Sequence, residues 1–147
     1  MDRRCLRPLS AVWLLCFGLV AGACASSSDK GSPPTFCDVQ PILESKCQRC
    51  HQDPTKNGAP FPLLSYADTQ VAAATPDKPA RKRYEQMRTA VESGAMPDQS
   101  QNLEPAVSPL SCEEKATLLE WLRSGAPAGS DGTSECGSVT PKLLSCD

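Results

Sequence analysis

The sequence predicts an all-α protein of three or four short helices, on three observations. Apolar residues recur at helical spacing in three places: Val39, Ile42, Leu43 and Cys47; Tyr84, Met87 and Val91; Leu118, Trp121 and Leu122. Capping residues stand before these runs and Gly or Pro after them. No stretch of any length alternates as a half-buried strand does, and there is no internal repeat.

The first helix is expected over Asp38–Cys50, with Asp38 as cap. Pro41 then falls in the first turn, where a missing N–H breaks no intrahelical bond. Asp53-Pro54 and Asn57-Gly58-Ala59-Pro60 are loop signals. Ser65 and Asp68 carry a capping-box pattern leading into Val71–Ala74, which Thr75-Pro76-Asp77 ends. A further helix is expected over Lys78–Ser93, capped by Asp77 and stopped by Gly94. Its Arg81–Glu85 and Arg88–Glu92 pairs have i,i+4 spacing and describe a solvated face. Residues 94–109 hold three prolines and no apolar period, so they form a loop. Ser111 and Glu114 make a clear capping box for the last helix, which Gly125 ends and Pro127 keeps from resuming.

The N-terminus has Arg3, Arg4 and Arg7, an apolar run from Leu9 to Val20, then Ala21-Gly22-Ala23-Cys24. A basic start, a short apolar core and small residues describe an export signal over 1–23, and the run is short for a transmembrane span. Cys24 after small residues fits a lipoprotein signal, in which Cys24 is lipidated and 24–35 is a flexible Ser-rich tether. Ordinary cleavage after Ala23 or Ala25 also fits. Either way the protein reaches the periplasmic face of a membrane or the cell envelope, and Ala25 after Cys24 fits the outer membrane. Removing residues 1–23 takes Lys plus Arg from 15 to 12 and Asp plus Glu from 17 to 16, a net charge of −4. That acidic balance speaks against a nucleic-acid partner.

Cys47-Gln48-Arg49-Cys50-His51 is a CxxCH pentapeptide, and His51 is the only histidine of the 147 residues. This pattern is that of covalent haem attachment: two thiols three positions apart each add to a vinyl group, and the adjacent imidazole becomes the proximal iron ligand. A thioredoxin-like CxxC opens a helix after a strand, and no strand-like run precedes Cys47. Zinc wants four ligands, of which Cys47, Cys50 and His51 supply three. An idle histidine beside a disulfide explains neither the spacing nor the neighbour. Aromatic residues make up 5% of the chain, and a flat apolar macrocycle would give these short helices something to pack on.

With no second histidine, the sixth iron ligand is sought among methionines. Met96, in the Gly94-Ala95-Met96-Pro97 loop, is the expected ligand. Met87 lies on a helical apolar stripe and reads as core. Ligation by His51 and Met96 raises the reduction potential and suits electron transfer. The proximal imidazole should donate its other N–H to a backbone carbonyl, here of Pro60 or Pro62. No hydrolase triad, phosphate loop or zinc-hydrolase signature competes, so no enzyme activity is expected. With Cys24 lipidated and Cys47 and Cys50 on haem, four cysteines remain, which suggests two disulfides: Cys37–Cys112, and Cys136–Cys146 closing the Gly/Ser-rich tail over 128–147.

These residues resemble a class I monohaem c-type cytochrome over roughly Phe36–Pro127. The CxxCH carries most of the resemblance, helped by Asp38-Val39-Gln40-Pro41-Ile42-Leu43, Gly94-Ala95-Met96-Pro97 and Glu120-Trp121-Leu122-Arg123-Ser124-Gly125-Ala126-Pro127. The resemblance implies a cytochrome c-like fold whose first helix crosses the last beside one haem c. It also implies single-electron exchange with redox partner proteins such as dehydrogenases, oxidases or other cytochromes. The extra cysteines and the tail are not part of that pattern.

Overall fold

A computed structural model describes residues 31–75, 78–129, 132, 135–137 and 140–146. The expected signal peptide over 1–23, Cys24, most of the tether, and Pro76 and Asp77 lie outside the described residues. The elements run α1 (Phe36–Lys46), α2 (Tyr66–Gln70), β1 (Ala72–Thr75), β2 (Lys78–Lys82), α3 (Arg83–Glu92) and α4 (Cys112–Arg123). Four helices with one small hairpin agree with the all-α expectation in its coarse form.

Helix α1 starts two residues earlier than expected. Thr35 caps it, and Asp38 sits at the third position, accepting from the Thr35 N–H and hydroxyl at 2.8 Å each. Pro41 therefore lies inside the helix rather than in its first turn. Helix α4 follows its sequence signal. The Ser111 hydroxyl accepts from the Glu114 N–H at 3.1 Å, and the Glu114 carboxylate accepts from the Ser111 N–H at 2.7 Å. Gly125 then takes a left-handed φ of 87°. Replacing Ser111 with Ala should cost about 1 kcal/mol of stability in urea unfolding, while Ser100→Ala on the exposed loop should cost less.

The strand pair contradicts the helical reading of residues 66–93. Helix α2 lasts five residues, and α3 begins only at Arg83. Between them β1 and β2 pair antiparallel, with Ala72 opposite Lys82 and Ala73 opposite Arg81. Ala-rich β1 and Lys/Arg-rich β2 have no alternating apolar face, so no period announces them. The expected side-chain pairs shift with them. Arg81 belongs to the strand, Glu85 accepts from the Lys82 N–H at 2.8 Å, and Glu92 takes the Arg123 guanidinium at 3.0 Å.

The core joins α1, α3 and α4 through Val39, Ile42, Leu43, Met87, Val91, Leu118, Trp121 and Leu122, all buried. Phe36 meets Tyr66 edge-on at 5.5 Å and Trp121 at 6.2 Å. The Pro127 carbonyl accepts from the Trp121 indole at 2.9 Å and from the Phe36 N–H at 3.1 Å, which fixes the start of α1 against the end of α4. At the other end, the Lys46 ammonium reaches the Ser108 hydroxyl at 2.6 Å and the Glu114 carboxylate at 3.4 Å. The two helices therefore run antiparallel.

That antiparallel arrangement overturns the expected disulfides. Cys37 and Cys112 both lie at helix N-termini, so they stand at opposite ends of the pair. Nine residues of helix span about 14 Å, beyond the roughly 7 Å that a disulfide bridges. The bonds are Cys37–Cys136 and Cys112–Cys146. The described tail residues are thus fastened to the start of α1 at Cys136 and to the start of α4 at Cys146, as a strap held at both ends. The Lys142 N–H donates to Asp38 at 2.9 Å, and the Leu144 N–H donates to the buried Thr117 hydroxyl at 2.8 Å.

Candidate cofactor site

The C-terminus of α1 delivers the CxxCH. Cys47 ends the helix, and the His51 N–H returns to the Cys47 carbonyl at 3.0 Å, so both thiols and the imidazole sit on one tight turn. The turn is held from behind: Gln48 donates to the Leu63 carbonyl at 3.0 Å, and the Lys56 N–H to the Cys50 carbonyl at 2.8 Å. Among the described residues Cys47 and Cys50 are the free cysteines. Burial, and then the neighbouring Cys50, push the Cys47 thiol up to about 12. That is opposite to the depressed thiol of a redox-exchange CxxC. The Cys50 sulfur receives the Asn57 amide at 3.4 Å.

His51 is 8% exposed. Its Nδ1 lies 2.7 Å from the Phe61 carbonyl oxygen, which can only accept, so Nδ1 carries the proton. In the neutral ring this leaves Nε2 with its lone pair, and among the described residues Nε2 has no hydrogen-bond partner. The carbonyl belongs to Phe61 rather than to Pro60 or Pro62. The Leu63 N–H donates to the His51 carbonyl at 2.8 Å. These two bonds pin the Phe61 carbonyl and the Leu63 N–H against His51, which makes Phe61 the carbonyl that the ring meets.

Cys47, Cys50 and His51 open onto a cavity of about 320 Å³, the size of a small-molecule or cofactor site. Phe61 and Leu63 line it beside the imidazole; Met87, Ala90 and Val91 come from α3, and Leu118 from α4. The 96–107 loop completes it with Met96, Pro97, Leu103 and Val107. Met96 and Met87 thus reach the same cavity as His51. Met87 is 8% exposed and part of the core, whereas Met96 is 36% exposed and outside it. Arg49, the second variable residue of the CxxCH, donates to the Glu104 carbonyl and ties this loop to the turn. Among the described residues no three His, Cys, Asp or Glu side chains converge as a metal cluster.

Several of these partners leave no mark in the sequence. The clamps on the loop, Lys46 and Arg49, belong to no motif that would single them out. The donor set fits a covalently held haem: two free thiols, one oriented imidazole, two thioethers and an apolar wall. The chain matches no family model, no curated protein and no solved structure.

Proposed function

We propose that this protein is an exported c-type cytochrome with one haem, on a cytochrome c-like fold, that carries single electrons between redox partner proteins. The observation that carries the proposal is His51: a buried imidazole with Nδ1 anchored on a carbonyl and Nε2 unpartnered, beside two free thiols at an apolar cavity. Cys47 and Cys50 would hold the haem by thioether bonds, and His51 and Met96 would ligate its iron. Bound there, haem supplies a reversible one-electron iron couple.

The chain's own residues set the terms of that couple. Phe61 fixes the tautomer and orientation of His51 and strengthens the imidazole as a donor. The apolar lining lowers the local dielectric and so disfavours the more highly charged oxidised state. Met87 is committed to packing in α3, so the loop residue Met96 is the better ligand. Arg49 and Lys46 hold the loop that carries it. The acidic balance of the exported chain leaves nucleic acid outside the set of partners.

Two disulfides support an oxidising compartment, in line with export and an anchor on Cys24. No helix among the described residues is long and apolar enough to cross a membrane. The proposed attachment is a lipid on Cys24. The test is to export the full chain in a host with a haem-attachment system. Expected is a coloured, low-spin protein whose mass rises by one haem and whose colour survives a denaturing gel. Colourless protein, with zinc and no iron by metal analysis, would overturn the proposal.

The ligand assignment has its own test. Met96→Leu should lower the midpoint potential by at least ~0.1 V, within the ~0.8 V range that axial ligands command. It should also let the reduced protein bind carbon monoxide. Met87→Leu keeps the core volume and should change neither. A low-spin spectrum that persists after loss of Met96 would refute this ligand, and rapid carbon monoxide binding by the wild type would favour a haem-based gas sensor.

A further inference from the structure

Arg83 opens α3 with its side chain turned toward the candidate site. Its guanidinium carbon stands 4.9 Å from the centre of the Phe61 ring, and that ring lies 5.4 Å from the His51 ring at 43°. The three groups are in sequence, guanidinium over phenyl and phenyl tilted against imidazole, with the cation within about 10 Å of the His51 ring. Phe61 is also the residue whose carbonyl holds His51 Nδ1.

The charge of Arg83 is poorly matched. Its Nη1 donates to the Asp68 carbonyl at 3.3 Å and stands 3.9 Å from the Asp68 carboxylate, with 18% of the side chain exposed. That is not the bidentate pairing by which arginine is usually satisfied. Asp68 is engaged elsewhere: its Oδ2 accepts from the Leu64 N–H at 3.0 Å and from the Ser65 N–H and hydroxyl at 2.9 Å each. Arg83 Nε is fully shielded from water, and among the described side-chain nitrogens and oxygens so shielded it alone has no hydrogen-bond partner. Natural proteins rarely leave such a group unexplained.

We infer that Arg83 is a positioning residue that holds Phe61 against His51 and, through its under-compensated charge, favours reduced over oxidised iron at the candidate haem site. The inference rests on the haem reading above. A positive charge on the His51 side disfavours the state that carries one more positive charge. Across the distance of about 10 Å or less between the cation and the His51 ring, at an effective dielectric of about 20, one unit charge shifts such an equilibrium by about one order of magnitude. Stacking on the aromatic face keeps the cation there rather than in water.

The experiment is a redox titration of the exported, haem-loaded full chain. Arg83→Met should cut the reduced-to-oxidised ratio at a fixed ambient potential about tenfold, a fall in midpoint of about 59 mV for a one-electron couple. Arg83→Lys, which keeps the charge, should stay within about threefold of the wild type. Asp68→Asn removes the nearest negative charge, should move the ratio the other way, and serves if Arg83→Met is not recovered. An unchanged or raised midpoint in Arg83→Met, or a fall in Arg83→Lys as large as in Arg83→Met, would overturn the role of Arg83 alone. A wild-type chain that takes up no haem overturns the haem reading and this inference with it.

Discussion

A chain in which Cys47 and Cys50 are both serine will be exported without covalent haem: colourless on a denaturing gel, with no haem added to its mass. Serine keeps the size and polarity of the side chain but has no sulfur to form a thioether, so the loss should be complete rather than graded. The prediction is sharp because the other described cysteines are already paired, Cys37 with Cys136 and Cys112 with Cys146. No spare thiol among the described residues can substitute. Cys50→Ser alone should leave one attachment through Cys47 and a visibly lower yield of coloured protein. The haem-free variant should also unfold at lower urea, because the apolar cavity beside Leu63, Val91 and Leu118 then faces water. Coloured, haem-bearing protein from the double variant would show that these thiols are not the attachment points.

The parts of this molecule that sequence makes legible are those written in local chemistry. Ser111 and Glu114 bond their own neighbours, and Gly125 supplies a backbone conformation that few residues adopt, so α4 is readable at both ends. The CxxCH turn is equally local. What escaped depends on contacts distant in sequence. Lys78–Lys82 is a strand because it pairs with Ala72–Thr75, not because its residues favour one; alanine and lysine are depleted in strands. Sequence points to the proline-rich stretch for the carbonyl facing His51, and the bond between the Leu63 N–H and the His51 carbonyl makes it Phe61. Arg83 is further still from local logic. Its place against Phe61 exists only once the hairpin has turned the chain back, and no spacing of residues 61 and 83 announces it. Cysteine pairing failed for the same reason, since it follows the sense in which α1 and α4 cross.

That crossing sets up the second large effect. Removing the Cys37–Cys136 bond by a paired serine substitution should destabilise the folded chain by about 4–5 kcal/mol, against about 3–4 kcal/mol for Cys112–Cys146. The order comes from the unfolded state. The first bond closes a separation of 99 residues and the second one of 34, and the longer loop removes more chain entropy from the unfolded ensemble. Native contacts point the same way. Cys37 lies on the first turn of α1, next to Phe36, whose N–H is held by the Pro127 carbonyl that also takes the Trp121 indole. Freeing Cys136 loosens the strap where it meets this junction, and with it the Lys142 bond to Asp38. Freeing Cys146 releases the far end, where the Leu144 N–H meets Thr117. Trp121 is fully buried, and in a chain exported with residues 1–23 removed, as proposed, it would be the single tryptophan, so its fluorescence in a urea titration would report this packing directly. If both paired variants unfold within about 1 kcal/mol of the wild type, the strap stabilises nothing. If the Cys112–Cys146 variant proves the weaker of the two, loop entropy is not what the bonds supply, and their worth lies in the contacts around Thr117.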